Sequence, residues 1–261
     1  ELYEIACKED DTRLKTFADN QFYGRFLELP ADVVGYNRYF GWYKDAGSAE
    51  NFGEWLDLYH NEKEKRPVCL SEYGGGGAIS QHKDNVDWES DIDPIGVRHY
   101  ENYQSQLHEI LWKQFSVRKY LWAEFIWCMF DFASYGRTEG DTKSLNDKGL
   151  CTRERIPKDV YFFYKSVWSS EKTVYITERR HEFRACDVPF VKVYSNADAV
   201  ELCINDVSHG RISRCELPND ESTVFVWENI KIKPDTKNKI CAKAYFSDGT
   251  SRTDYAFWTG K

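Results

Sequence analysis

Methionine is almost missing from this sequence: its 261 residues hold one, Met129, and the first residue is Glu1. No series of charged, apolar and small residues marks a signal peptide near the start, so the chain is expected to begin inside a longer protein. No run approaches the roughly 18 uninterrupted apolar residues that a membrane span needs. There is no basic block either, and the formal net charge is −8, which argues against nucleic acid as a partner. The six histidines form no His-Glu-x-x-His pattern or other ligand pair, which sets a metal hydrolase aside. The eight cysteines include no Cys-x-x-Cys pair. Cys69, Cys128 and Cys203 lie in apolar runs and read as small buried hydrophobes rather than a disulfide framework. Internal repeats and low-complexity tracts are lacking, and the compartment is not legible.

Aromatic residues, by contrast, are abundant: 9 Trp, 17 Tyr and 16 Phe. Flat rings with one polar tip suit the faces and hydroxyl rims of sugars, but most of these rings are expected to fill the core. Their placement has to decide.

Up to about residue 168, apolar runs alternate with helical patterns. Val33-Val34-Gly35-Tyr36 and Pro67-Val68-Cys69-Leu70 read as strands, Tyr120 to Phe132 as a longer apolar run, and Thr12 to Ala18 as a weaker strand. Phe52, Trp55, Leu56 and Tyr59 fall on one helical face, as do Tyr100, Tyr103, Leu107, Ile110 and Leu111. Continuous apolar strands separated by helices predict a parallel sheet covered on both faces. Beyond Trp168 the period drops to two. Val200, Leu202 and Ile204 alternate with polar residues, as do Ile240, Ala242, Ala244 and Phe246 before Ser247-Asp248-Gly249. The pattern predicts an antiparallel sandwich. The fold class is thus α/β plus all-β, with domains at 1–170 and 171–261. Four β/α units do not close a barrel of eight, so the first part is either half a barrel or a doubly wound sheet.

Polar and aromatic residues gather where the apolar runs end: Asn37-Arg38-Tyr39, Ser71-Glu72-Tyr73-Gly74, and Trp127 with Asp131 and Phe132. In an α/β barrel the C-terminal strand ends form the active-site rim. Glu72 stands at such a mouth, before four glycines (74–77) that would let backbone approach a ligand. On spacing alone it is either catalytic or an ordinary strand-end Glu paired with an Arg.

These residues resemble glycoside hydrolase family 2, which includes β-galactosidases, β-glucuronidases and β-mannosidases. Ser71-Glu72-Tyr73-Gly74 is similar to that family's nucleophile motif, and Asn37-Arg38-Tyr39-Phe40-Gly41-Trp42-Tyr43 to its preceding strand. Trp127-Cys128-Met129-Phe130-Asp131-Phe132-Ala133 resembles the eighth strand, and Asn146-Asp147-Lys148-Gly149-Leu150 the segment after it. The stretch Tyr194 to Leu202 resembles the β-sandwich that comes after the barrel. The resemblance implies strands 5–8 of a (β/α)8 TIM barrel followed by an immunoglobulin-like β-sandwich. It implies a retaining exo-β-glycosidase with Glu72 as nucleophile and Tyr39 holding it. Asn37 would bond a sugar hydroxyl and Trp127 would stack under the ring. The family's acid/base Glu comes after an Asn at the end of strand four, which would lie upstream of residue 1, so this stretch alone is expected to be inactive.

Asn146 and Lys148 fit an Asn-x-Lys motif with which family β-glucuronidases bind a carboxylate. The surrounding segments resemble β-galactosidases most, and His82, in the same pattern, is either a further contact or a structural histidine. A galactosidase is therefore the expectation, with a β-glucuronidase or a non-catalytic carbohydrate-binding or assembly module as alternatives. Some family β-galactosidases use Mg²⁺ and Na⁺, whose ligands this sequence does not assign. The expected partners are a glycoside substrate, the upstream part of the same protein and, by the same resemblance, a second copy.

Overall fold

The computed structural model describes residues 1–20, 29–218 and 222–261. Its strands are β1 Ala18–Asp19, β2 Val34–Asn37, β3 Val68–Tyr73, β4 Leu121–Ile126, β5 Phe132–Ala133, β6 Leu145–Asn146, β7 Val174–Ile176, β8 Phe183–Arg184, β9 Asp187–Ser195, β10 Ala199–Ile204, β11 Val207–Ser213, β12 Val224–Lys231, β13 Lys237–Tyr245 and β14 Ser251–Gly260. Its α-helices are α1 Leu2–Glu9, α2 Phe52–Leu58, α3 Trp88–Asp91, α4 Glu101–Phe115 and α5 Asp159–Trp168. Among the described residues no helix is long and apolar enough to cross a membrane.

Strands β1 to β4 form a four-stranded sheet in chain order, and every pairing in it is parallel. Parallel neighbours need long crossovers, which α2 and α4 supply between β2, β3 and β4. The helices cover one face: Tyr36, Val68, Leu70 and Tyr73 share a core with Phe52, Leu56, Leu107, Leu111 and Phe115. Burying a side chain of this size stabilises by about 1.5–3 kcal/mol. The first strand is shorter and later than the expected Thr12–Ala18, covering Ala18–Asp19 alone. Just before it, the Lys15 amide donates to Asp32 Oδ2 at 2.8 Å, and the Lys15 and Phe17 carbonyls accept from the Val33 and Gly35 amides, so residues 15–17 still run beside β2.

Side chains alternate faces along a strand, so Glu72 would by parity share the helix-covered face with Val68 and Leu70. It does not, because the pairing of β3 with β4 shifts register between Leu70 and Tyr73. An extra residue in a strand re-aims the side chains beyond it. Tyr73 therefore joins Leu70 in the core, and Glu72 is left on the inner face. The pairing of β2 with β3 shifts at the same place, where Tyr36 faces Leu70 and Asn37 faces Glu72, so the extra residue again belongs to β3.

The β-rich part holds a five-stranded sheet, β11-β10-β13-β14-β8, and a three-stranded one, β12-β9-β7. Alternation in the two strands read from sequence is borne out. Val200, Leu202, Ile204, Ile240, Ala242 and Ala244 meet Val191, Val193, Phe225 and Trp227 of the other sheet in one core. A third cluster joins the two parts of the chain, with Val160, Phe163 and Tyr164 of α5 packed on Tyr175 and Tyr194. All eight cysteines are free thiols.

Candidate functional site

The ends of β2 and β3 meet at Glu72. Its carbonyl accepts the Arg38 amide at 2.9 Å, and its Oε2 accepts the Tyr39 hydroxyl at 2.6 Å. Among the described residues no cation stands within ion-pair distance of Glu72, so the strand-end ion pair does not form. Burial first, and the bond to Glu72 second, push the Tyr39 phenol well above its ordinary range. That phenol stays protonated and donates. Asn37 accepts from the Ser71 hydroxyl at 2.7 Å through Oδ1, which leaves its amide nitrogen for a ligand. Asn37, Tyr39 and Glu72 line one cavity of about 320 Å³ together with Asn20, Tyr43, Asp45 and Ala46. A hollow of that size holds a single sugar ring better than a long chain.

The Asn146-Asp147-Lys148 segment is outside that lining and reaches it through Lys148, which contacts Tyr43. Lys148 is only 2% exposed. Its Nζ lies 3.3 Å from the Tyr43 hydroxyl and 5.3–5.9 Å from the ring centres of Tyr43, Trp42 and Tyr39. No carboxylate within ion-pair distance of it is found among the described residues. A buried ammonium surrounded by rings and a phenol, with Asp147 acting on it only beyond ion-pair distance, is poorly compensated among the described residues. Asn146 is buried, and its Oδ1 accepts the Lys148 amide at 3.1 Å.

Trp127 comes directly after β4 and donates its amide to the Tyr73 carbonyl at 2.9 Å. Its half-buried indole meets Phe132 edge-on, with ring centres 5.8 Å apart. It stands beside the strand that carries Glu72, outside the lining named above.

Two expectations need correction. His82 does not join this group: its Nε2 lies 3.0 Å from the Ile79 carbonyl and 3.7 Å from Glu101, and its ring stacks on His181 at 5.6 Å. It is held by a buried polar cluster between α4 and the β-rich part. The four glycines serve packing against protein rather than approach to a ligand. A Cβ on Gly76 would stand 2.4 Å from Asp147 Oδ1, and one on Gly75 2.7 Å from the Trp42 ring.

Tyr43, Asn20 and Asp45 were missed as lining residues. Tyr43 carried the better signal, four residues after Tyr39 within the same motif. As for a metal, Asp84, Glu178 and His181 each bring a ligand atom within 4.8 Å of the others. Arg184 already bonds Asp84 there and sits 2.9 Å from Glu178. An arginine supplies the positive charge, so these residues do not fit an Mg²⁺ or Na⁺ site.

Residues 1–173 match the model described as "Glycosyl hydrolases family 2, TIM barrel domain", and residues 188–252 match a domain of unknown function. A β-glucuronidase of Bacteroides fragilis is 35% identical over 234 residues, 89% of this chain and 32% of the relative. Human β-glucuronidase is 31% identical over 168 residues, 60% of this chain and 23% of that protein. The chain thus spans about a third or less of the curated relatives it matches. Two crystal structures superpose over 100% of this chain and 37% of theirs. One, titled an FMN-binding β-glucuronidase from Facaelibacterium prausnitzii L2-6, has 32% identity and a TM-score of 0.84. The other, provisionally titled a β-galactosidase from Bacteroides fragilis, has 28% identity and a TM-score of 0.87.

Proposed function

Because this chain belongs to glycoside hydrolase family 2, we propose that it is the second half of the catalytic barrel of a retaining β-glycosidase acting on β-D-glucuronides. The observation that carries the sugar assignment is Lys148, a buried ammonium with no carboxylate within ion-pair distance among the described residues, 3.3 Å from a tyrosine of the Glu72 cavity. A substrate carboxylate at C6 supplies the missing charge, and charge-assisted bonds of this kind are the strong ones. This takes the alternative read from sequence over the galactosidase. A C6 hydroxymethyl would leave the ammonium uncompensated, and the relatives above carry the glucuronidase name more often.

Retaining glycosidases hold two carboxyls about 5–5.5 Å apart. Glu72 attacks the anomeric carbon, and the bond to the glycosidic oxygen breaks as the second carboxyl protonates it. Water, deprotonated by that second group, then attacks the glycosyl ester and releases Glu72. Tyr39 occupies one oxygen of Glu72 and leaves the other to attack. Asn37 holds a hydroxyl of the ring, and Trp127 forms its apolar platform. The acid/base carboxyl is assigned to the preceding half of the barrel, so this chain needs that half to turn over. The β-rich segment, 171–261, is read as an immunoglobulin-like sandwich docked on the barrel, a reading supported by the core that its two sheets share.

The test is a panel of nitrophenyl β-D-glucuronide, galactoside and glucoside on the full-length protein. The glucuronide is expected to give the highest kcat/KM. A galactoside preference would overturn the sugar assignment and restore the galactosidase. Trapping with a fluorinated glucuronide should label Glu72, and a label elsewhere would sink the nucleophile.

A further inference from the structure

Lys148 is held from every side, and the means of holding it lie far from it in sequence. The Asp147 carbonyl accepts from the Gly77 amide at 3.1 Å and from Lys158 Nζ at 2.8 Å. The Lys148 carbonyl accepts from Cys128 at 3.1 Å, and the Gly149 amide donates to Asp131 at 2.8 Å. Both peptide groups flanking the Lys148 Cα are therefore occupied. The remaining handle is the Asp147 side chain, whose Oδ2 lies 2.7 Å from His99 Nδ1. His99 Nε2 lies 3.1 Å from the Asp93 carbonyl. Both ring nitrogens thus face oxygen partners, which fixes the orientation of the ring. Burial pulls the Asp147 carboxyl up, but the bond and charge of His99, with Lys158 and Lys148, hold it below its usual range. His99 is fully buried, edge-on to Trp42 at 4.7 Å, and Trp42 in turn faces the Lys148 ammonium.

The geometry points to His99 as a positioning residue for sugar-carboxylate recognition: through its Nδ1 it pins Asp147, and through the shared backbone it fixes where Lys148 presents its ammonium. The inference rests on the glucuronide reading above and adds to it a residue that touches no substrate. Asp131 and Lys158 are the second brace, joined at 2.8 Å and buried. Lys158 reaches the same Asp147 carbonyl, so the pair and the His99 clamp act on one peptide. A fixed ammonium favours a carboxylate over a hydroxymethyl only while its place is held within about half an ångström.

The experiment compares inhibition of the full-length protein by two sugar lactones, one carrying a carboxylate at C6 and one neutral. In the wild type the carboxylate form should bind more tightly. His99→Phe, which keeps the ring volume and removes both ring nitrogens, should raise the inhibition constant of the carboxylate lactone about tenfold, while that of the neutral one moves less than about twofold. His99→Asn, which keeps a donor near Asp147, should recover most of the difference. Should His99→Phe fail to fold, Asp147→Asn carries the test and must narrow the gap between the two lactones. Equal weakening of both lactones overturns the positioning role. A wild type with no preference for the carboxylate form overturns the glucuronide reading itself, and that result is visible before any substitution is made.

Discussion

At the scale of single residues the site is an arrangement of one carboxylate, one phenol and one ammonium. If Glu72 is the nucleophile as proposed, Glu72→Gln in the full-length protein should lower kcat on an aryl glucuronide by at least about a thousandfold, measured as initial rate. Tyr39→Phe takes away one charge-assisted bond of about 1.5–3 kcal/mol, so kcat should fall roughly ten- to a hundredfold. Lys148→Met should cost a similar factor in kcat/KM on the glucuronide and little on a neutral glycoside. Asp45 also lines the cavity but is exposed. Asp45→Asn should leave kcat within about threefold, whereas a thousandfold loss would move the acid/base assignment onto this chain. The grouping of Glu72 with Tyr39 and Asn37, with Lys148 close by, was legible in the sequence because each comes after a strand or sits in a short motif. His82 was misplaced because a motif names a residue without saying which way it faces. His99 was passed over because its partner, Asp147, lies 48 residues away.

At the scale of elements, strands and helices could be read from apolar spacing, and α2, α4 and β2 to β4 lie where that spacing put them. What spacing could not show is the register shift in β3, since a bulge leaves composition unchanged and alters only pairing. That shift turns Glu72 away from the helices. The glycine loop shows the same limit, because its contacts come from four separate segments. Gly76→Ala would press a methyl toward the Asp147 carboxylate, 2.4 Å away. Overpacking of this kind costs about 1–3 kcal/mol, to be read as a drop in melting temperature, together with a weaker preference for the glucuronide.

At the scale of the whole molecule, the parallel sheet and the β-rich part are tied by buried ion pairs. Arg180 reaches Glu101 at 2.7 Å, and Arg184 bridges Asp84 and Glu178. Burial pushes Glu178 up to about 7, against the pull of Arg184, and pushes Glu101 up to about 8 with the help of Asp159. A carboxyl whose folded value exceeds its unfolded one gives stability that is complete below the unfolded value and lost as pH rises through the folded one. The contribution of these two carboxyls should therefore decline between about pH 5 and pH 8, so Glu178→Gln should gain melting temperature relative to the wild type as pH rises across that window. A difference between the two proteins that does not change with pH would contradict the assignment. No local pattern of residues marks this seam, whose partners stand up to 100 residues apart.

The Gly77 amide donates to the Asp147 carbonyl, so the exit of β3 and the loop bearing Lys148 are mechanically coupled. An engineer wanting a different monosaccharide preference could not transplant that loop by itself. A donor loop with another backbone path would drag Gly74 to Gly77 along with it and tilt Glu72 away from the anomeric centre. Retargeting this scaffold therefore calls for exchanging both segments as a matched set, and libraries that randomise only one should return mostly inert variants.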